Sequence, residues 1–139
     1  MNYKVIIDTS VIVSFALSRN NKSAIAELET IIKHPNVTVL YSEKIFQEYE
    51  DVLSRPKFGF DPLNVQFALN KIRFECLKVD DKEFEKEIVD PQDKPFYFLT
   101  LSVDDSYLVT GNLKHFPKNA RIVSPREFVD IYYNKDSNE

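Results

Sequence analysis

Five short segments rich in β-branched and aromatic residues alternate with stretches of helical periodicity, and this alternation constrains the fold more than any other feature of the chain. The strand-like segments are residues 3–7 (YKVII), 37–41 (VTVLY), 74–79 (FECLKV), 106–110 (SYLVT) and 120–124 (ARIVS). Strands that alternate with helices need crossover connections, which produce a parallel sheet with helices on both faces. The sequence therefore predicts an α/β fold in three layers.

Apolar side chains spaced three or four positions apart predict helices between these segments. The stripe predicted for residues 22–33 consists of Ile25, Leu28, Ile31 and Ile32. The stripe predicted for residues 61–73 consists of Leu63, Phe67, Leu69 and Ile72. A helix is also predicted over residues 94–103, although the run FYFLTL in this segment is rich in residues that favour strands.

Two helix starts carry capping signals. Asp61-Pro62 and Ser124-Pro125 each place an N-cap residue before a proline at the first helical position. Glu127 lies three residues after the second N-cap and completes a capping box. These signals predict helices that begin at residues 62 and 125.

The chain has 139 residues, of which 43% are apolar, and this is the size of one ordinary domain. We therefore predict a single domain over residues 1–134 and a polar tail over residues 135–139. The single Cys76 excludes an internal disulfide, no cationic leader opens the chain, and no apolar run approaches about 18 residues. These features predict a cytoplasmic protein with no membrane partner.

Polar residues follow the first and fourth predicted strands at their carboxyl ends, which is where ligands bind to a parallel sheet. Asp8 and Ser10 come directly after the first strand, and Thr110 and Asn112 end the fourth. If these two strands are neighbours, the four side chains lie close together. A local interpretation is as good, because Asp and Ser cap helices and Asn after Gly favours a turn.

Two further carboxylates lie at predicted helices. Glu48 lies on the apolar stripe of the helix SEKIFQEYEDVL, so it points toward the core side; pairing with Arg55 or extension to solvent explains it equally well. Asp93 precedes the helix predicted over residues 94–103 and is expected to cap it at the mouth of the sheet. Asp90 is assigned to the loop.

Three carboxylates that converge without cations raise each other's pKa values, and a divalent cation removes this conflict. Asp8, Glu48 and Asp93 therefore predict an oxygen-ligand site of the Mg²⁺ type, which acts on phosphates. No Ser-His-Asp set, P-loop or GxGxxG motif suggests another chemistry, and His34 and His115 are interpreted as surface residues. The net charge of −4 argues against a broad basic surface, but acids gathered in one metal site weaken this objection.

Four segments in order, VIIDTSVIVSFAL, SEKIFQEYEDVLSRPKF, DPQDKPFYFLTL and YLVTGNLKHFP, resemble the PIN domain family, specifically VapC-like toxins of type II toxin–antitoxin systems. The resemblance spans about residues 4–130. It implies a parallel sheet of order 3-2-1-4-5 and metal-dependent cleavage of single-stranded RNA with Mg²⁺ or Mn²⁺. It also implies that Asp8, Glu48 and Asp93 bind the metal, that Ser10 lies near the metal water, and that the partners are an antitoxin protein and a second copy of the chain.

Asn112 departs from the pattern of many PIN nucleases, which carry Asp at this position. An amide accepts a hydrogen bond but adds no charge to offset a cation, so weaker metal binding is expected. Asn112 and Thr110 are retained as polar residues that orient ligands or water. The candidate contacts to the RNA backbone are Lys94, Lys114 and Arg55.

Two alternatives remain open at this point. One is a PIN-fold module that binds RNA or protein with weak or no turnover, which the neutral Asn112 favours. The other is a phosphatase similar to the haloacid dehalogenases, whose first strand also ends in Asp. That class needs a second Asp two residues later, and Ser10 occupies this place.

Overall fold

The computed structural model describes residues 1–17, 23–86, 88 and 90–137. The strands in this part of the chain are Tyr3–Ile7 (β1), Val37–Tyr41 (β2), Leu77–Lys78 (β3), Ser106–Val109 (β4) and Ile122–Val123 (β5). The helices are Thr9–Leu17 (α1), Ala24–Ile31 (α2), Glu43–Leu53 (α3), Pro62–Glu75 (α4), Lys94–Ser102 (α5) and Pro125–Ser137 (α6). Strands and helices alternate along most of the chain, as the sequence predicts.

The five strands form one sheet of order β3-β2-β1-β4-β5, and every adjacent pair is parallel. The predicted order 3-2-1-4-5 is confirmed. β1 lies at the centre, where Ile7 pairs with Val109 of β4. The carboxyl ends of β1 and β4 are therefore neighbours, and the Asp8 N–H donates a hydrogen bond of 3.0 Å to the Val109 carbonyl.

Helices cover both faces of the sheet. Side chains alternate along a strand, so Ile6 of β1 joins the buried cluster beneath α3, α4 and α5, which includes Tyr49 and Phe96. Val5 and Ile7 join the opposite cluster, in which the α2 and α6 side chains include Leu28 and Phe128. Burial of β1 on both faces explains its nearly continuous apolar sequence.

The helix starts agree with the capping signals. The Leu63 N–H donates to the Asp61 carboxylate at 2.8 Å. The Glu127 N–H donates to the Ser124 hydroxyl at 3.1 Å, and the Ser124 N–H donates to the Glu127 carboxylate at 3.0 Å. This reciprocal pair is the predicted capping box, and it fixes the point at which α6 begins.

The apolar stripe predicted for residues 61–73 is wrong. Leu63 and Phe67 are 80% and 72% exposed, and α4 instead buries Val65 and Leu69. The predicted stripe combines two faces of the helix, because Leu69 follows Leu63 by about one and two-thirds turns. The predicted strand at 74–79 is also too long, since α4 runs through Glu75 and β3 is only Leu77–Lys78.

The predicted boundary between the domain and its polar tail falls within α6. α6 continues to Ser137, so the first residues of the predicted tail belong to this helix, while residues 138–139 lie outside the described residues. Residue 22, the first of one predicted helix, also lies outside them. The division of the chain at residue 134 stays a prediction. No helix in the described part combines the length and apolar character needed to cross a membrane.

Candidate active site

Asp8 lies at the carboxyl end of the central strand and is only 3% exposed. One of its carboxylate oxygens, Oδ2, accepts hydrogen bonds from the Ser10 hydroxyl at 2.8 Å and from the Thr110 hydroxyl at 2.7 Å. The second bond joins residues 102 positions apart in the sequence, and it exists because β1 and β4 are neighbours. The structure thus brings together three of the residues predicted at the strand ends.

Backbone groups after β4 fix the direction of both hydroxyls. The Gly111 N–H donates to the Ser10 hydroxyl at 3.0 Å, and the Asn112 N–H donates to the Thr110 hydroxyl at 2.9 Å. Each hydroxyl has one proton, and it directs that proton to Asp8. A Cβ at Gly111 would lie 3.3 Å from the Ser10 Oγ, so a side chain there would press on this network.

Asp93 is the last residue of the 3-10 helical turn Pro91–Asp93 and directly precedes α5. It occupies the predicted cap position, but its side chain caps no backbone N–H; instead its carboxylate accepts a hydrogen bond of 3.1 Å from the His115 Nδ1. Burial raises the pKa of Asp93 to about 6, and the Asp8 carboxylate adds to this rise, while His115 opposes it. Asp8 and Asp93 are therefore close enough to repel each other.

Glu48 lies on α3, and the charge of Asp93 acts on its carboxylate. It is half-buried, and burial is the main cause that raises its pKa. The other charges that act on the Glu48 carboxylate are those of Asp51, Arg55, Asp90 and Asp93. The neighbouring residue Tyr49 donates a hydrogen bond from its buried hydroxyl to the Ile7 carbonyl, which holds α3 against the end of β1.

The sequence interpretation assigned no role in this site to two residues, His115 and Tyr49. His115 is not a free surface residue, because it bonds Asp93, which lies 22 positions earlier. The sequence signal that could have shown this is the position of His115 only six residues after the end of β4. Tyr49 looks like an ordinary core residue on an apolar stripe, and only the position of the Ile7 carbonyl shows that its hydroxyl joins α3 to β1.

A family model of the PIN domain matches residues 4–114. The chain belongs to the PIN domain family. The match includes Asp8, Glu48, Asp93 and Asn112 and ends before β5. No curated protein and no solved structure matches the chain. The PIN fold is a nuclease fold, in general that of metal-dependent ribonucleases, and the family typically uses divalent metal ions.

The carboxylates of this PIN domain suit a divalent cation with a water-rich coordination shell. Within the described residues, no group of three or more His, Cys, Asp or Glu is arranged to hold a metal ion. Mg²⁺, however, is usually bound through only one or two carboxylates and keeps several waters. The repulsion between Asp8 and Asp93 is the conflict that such a cation removes. The donor set therefore fits Mg²⁺ or Mn²⁺.

The remaining predicted site residues lie around this cluster. The Asn112 side chain is exposed and makes no hydrogen bond within the described residues, although its backbone N–H supports Thr110. Lys114 is exposed just beyond it, and Lys94 is the first residue of α5. Arg55 pairs with Asp51 at 3.0 Å. Their roles toward metal or RNA stay predictions.

Asp93→Asn is expected to stabilise the metal-free PIN domain. The folded-state pKa of about 6 exceeds the usual value for Asp, so the ionised carboxylate costs stability; this cost grows as the pH rises from about 4 to about 6 and is constant above that range. Asn resembles the protonated form and still accepts the His115 bond. Because the carboxyl group is partly solvated, we expect a gain of about 1 kcal/mol at pH 7, or about 4 °C in Tm.

Thermal unfolding in EDTA at pH 7 and pH 5 measures this effect. At pH 5 the folded Asp93 is mostly protonated but the unfolded one is mostly ionised, so about half of the advantage of Asp93→Asn should remain, and it should vanish only near the unfolded-state pKa of about 4. Asp104→Asn, which removes an exposed carboxylate elsewhere, is the charge-matched control and should leave Tm nearly unchanged at both pH values. A lower Tm for Asp93→Asn at pH 7 would contradict the repulsion between Asp8 and Asp93.

Proposed function

We propose that this PIN domain is a divalent-metal-dependent endoribonuclease that cleaves single-stranded RNA. The observation that supports it most is the pair of Asp8 and Asp93 at the carboxyl end of the central strand, where burial and the charge of Asp8 raise the pKa of Asp93. Such carboxylates suit a cation that acts on phosphate esters. Asp8, Glu48 and Asp93 are the proposed metal ligands and catalytic residues.

The bound cation supplies activation of water and stabilisation of negative charge on the phosphate. The protein residues hold the carboxylates in place. Ser10 and Thr110 direct both hydroxyl protons to Asp8 Oδ2, and His115 fixes Asp93. Burial raises the pKa of the Glu48 carboxyl, which makes its carboxylate a better proton acceptor.

Asn112 is proposed to orient substrate or water from the edge of the site. Its exposed amide is free to turn toward a bound phosphate, and its backbone N–H keeps Thr110 aligned with Asp8. Because it adds no negative charge, we expect one cation to be held more firmly than a second. Lys94 and Lys114 are the proposed contacts to the RNA backbone on this side.

The proposal includes the role of a VapC-like toxin that a small antitoxin protein silences, and a homodimeric state. A surface suited to protein contacts supports the partner part of this proposal: α4 exposes Leu63, Phe67 and Phe74, of which Phe74 is 92% exposed. Growth arrest on expression of the wild-type chain, absent with Asp8→Asn and relieved by the product of a small adjacent reading frame, would support the toxin role. Unaffected growth would contradict it.

Substrate class separates the proposed function from its two alternatives. The purified protein is incubated in Mg²⁺ with end-labelled single-stranded RNA, single-stranded DNA of the same sequence, and p-nitrophenyl phosphate. The ribonuclease proposal predicts internal RNA fragments and no release of p-nitrophenol. RNA that is bound but intact would favour the binding module, and release of p-nitrophenol with intact RNA would favour the phosphatase.

A further inference from the structure

Two aromatic rings stack in the segment that follows α3. The Phe58 and Phe60 ring centroids are 5.5 Å apart and their planes differ by 12°. Gly59 between them has φ 62°, the left-handed conformation that Gly adopts without strain, and this reversal puts both rings on one side of the chain. We call Phe58 and Phe60 the aromatic step.

The two rings of the aromatic step differ in what supports them. Phe60 packs against the buried cluster beneath α3, α4 and α5. Phe58 belongs to neither buried cluster and stays half-exposed. The Phe58 ring therefore stacks on Phe60 but contributes little to the core. Part of this apolar ring is accessible to solvent.

Two cations flank the aromatic step. The Lys57 Nζ lies 5.1 Å from the centroid of the Phe58 ring. Arg55 pairs with Asp51 at 3.0 Å, but their side chains are 36% and 64% exposed, and such exposed pairs contribute little. The Arg55 charge also acts on the Glu48 carboxylate, which connects the segment of the aromatic step to one of the proposed metal ligands.

We propose that the aromatic step and its two cations form a nucleotide subsite for the RNA strand next to the cleavage site. A base stacks on the exposed Phe58 ring, and Arg55 and Lys57 hold the adjacent phosphates. Stacking on an aromatic ring accepts any base, and cations beside it track the backbone, which is how single strands are bound without sequence selection. The inference rests on the proposed ribonuclease function and names how that site holds its substrate.

The amino-acid composition offers a direct optical test. The chain contains no Trp, so Phe58→Trp introduces a single Trp at the proposed stacking position, and excitation beyond the Tyr absorption band detects it selectively. The variant is made in the Asp8→Asn background to keep RNA intact and is titrated with a 15-nucleotide single-stranded RNA of mixed sequence. Base stacking predicts a saturable loss of Trp emission. The matched control, Tyr133→Trp on α6, places the fluorophore on a ring that is 49% exposed and predicts no loss.

Affinity variants test the same subsite independently. Phe58→Ala is expected to weaken binding of fluorescein-labelled RNA about 10-fold, whereas Tyr133→Ala leaves it unchanged. Lys57→Gln is expected to lower the slope of log affinity against log salt by about 0.7, the value for one phosphate contact on a single strand.

The outcomes separate this inference from the ribonuclease proposal. RNA cleavage by the wild type together with unchanged affinity for Phe58→Ala and constant Trp emission would overturn the subsite and leave the nuclease intact. Emission that falls on RNA binding while wild-type protein cleaves no RNA would support the subsite and overturn the nuclease. A wild-type chain that neither binds nor cleaves RNA would overturn both.

Discussion

Asp8→Asn is expected to abolish metal-dependent RNA cleavage while it leaves the fold intact. Loss of a residue that only supports a metal ligand typically costs about 10–100-fold in activity, so loss of the central carboxylate should cost more than about 100-fold. The Asn amide oxygen still accepts the hydrogen bonds that Ser10 and Thr110 give to Asp8. The variant therefore removes a charge but not the network that positions it.

Initial cleavage rates of a labelled single-stranded RNA in Mn²⁺ measure this loss, and the circular dichroism spectrum and Tm check the fold. Asp104→Asn removes an equal charge at an exposed position and is expected to cleave at the wild-type rate. If Asp8→Asn retains a rate within about twofold of the wild type, Asp8 is not a ligand for the reaction.

Arg121→Ala is expected to have the largest effect on stability. One guanidinium nitrogen, Nη1, donates to the carbonyls of Thr100, Val103 and Ser106 at 3.1, 3.2 and 2.8 Å. These carbonyls lie at the end of α5 and the start of β4. The Arg121 side chain therefore joins α5, the helix that follows Asp93, to β4, the strand that precedes Thr110. Hydrogen bonds to a charged group are strong, and Arg121→Ala removes three of them at once, so we expect a loss of about 3 kcal/mol.

Chemical denaturation measures the change in the free energy of unfolding, with Arg126→Ala as the matched control. Arg126 is exposed and pairs only at the surface, with Glu27 at 3.3 Å and Asp130 at 3.8 Å, so its loss should cost less than about 0.5 kcal/mol. Arg121→Lys keeps a charge but loses the planar fork and should fall between the two. Equal effects of Arg121→Ala and Arg126→Ala would contradict the role given to these carbonyl contacts.

The sheet and its ligand edge follow from patterns that are local in the sequence. The β-rich segments are short and rich in β-branched and aromatic residues, so β1, β2 and β4 are predicted nearly residue by residue. Once the strands are parallel, the carboxyl-end rule selects Asp8 and Thr110 without further information. The hydrogen bond between these two residues is a consequence of the strand order.

Other features depend on contacts that local patterns do not contain. Apolar residues of α4 occur on two faces, and only tertiary packing shows that Val65 and Leu69 are buried while Leu63 and Phe67 are exposed. Residues 74–76 favour a strand by their composition, but in the structure they complete and cap the last turn of α4. The bond between His115 and Asp93 joins two loops whose approach is set by the whole fold.

Dependence of RNA cleavage on added metal tests the central proposal most directly. The protein is stripped with EDTA, and the cleavage rate of single-stranded RNA is measured as Mn²⁺ or Mg²⁺ is added back, with Asp8→Asn in parallel. A divalent cation at Asp8, Glu48 and Asp93 predicts no cleavage in EDTA, a saturable return of cleavage in the wild type, and none in the variant. Cleavage that persists in EDTA, or RNA that stays intact at every metal concentration, would contradict it.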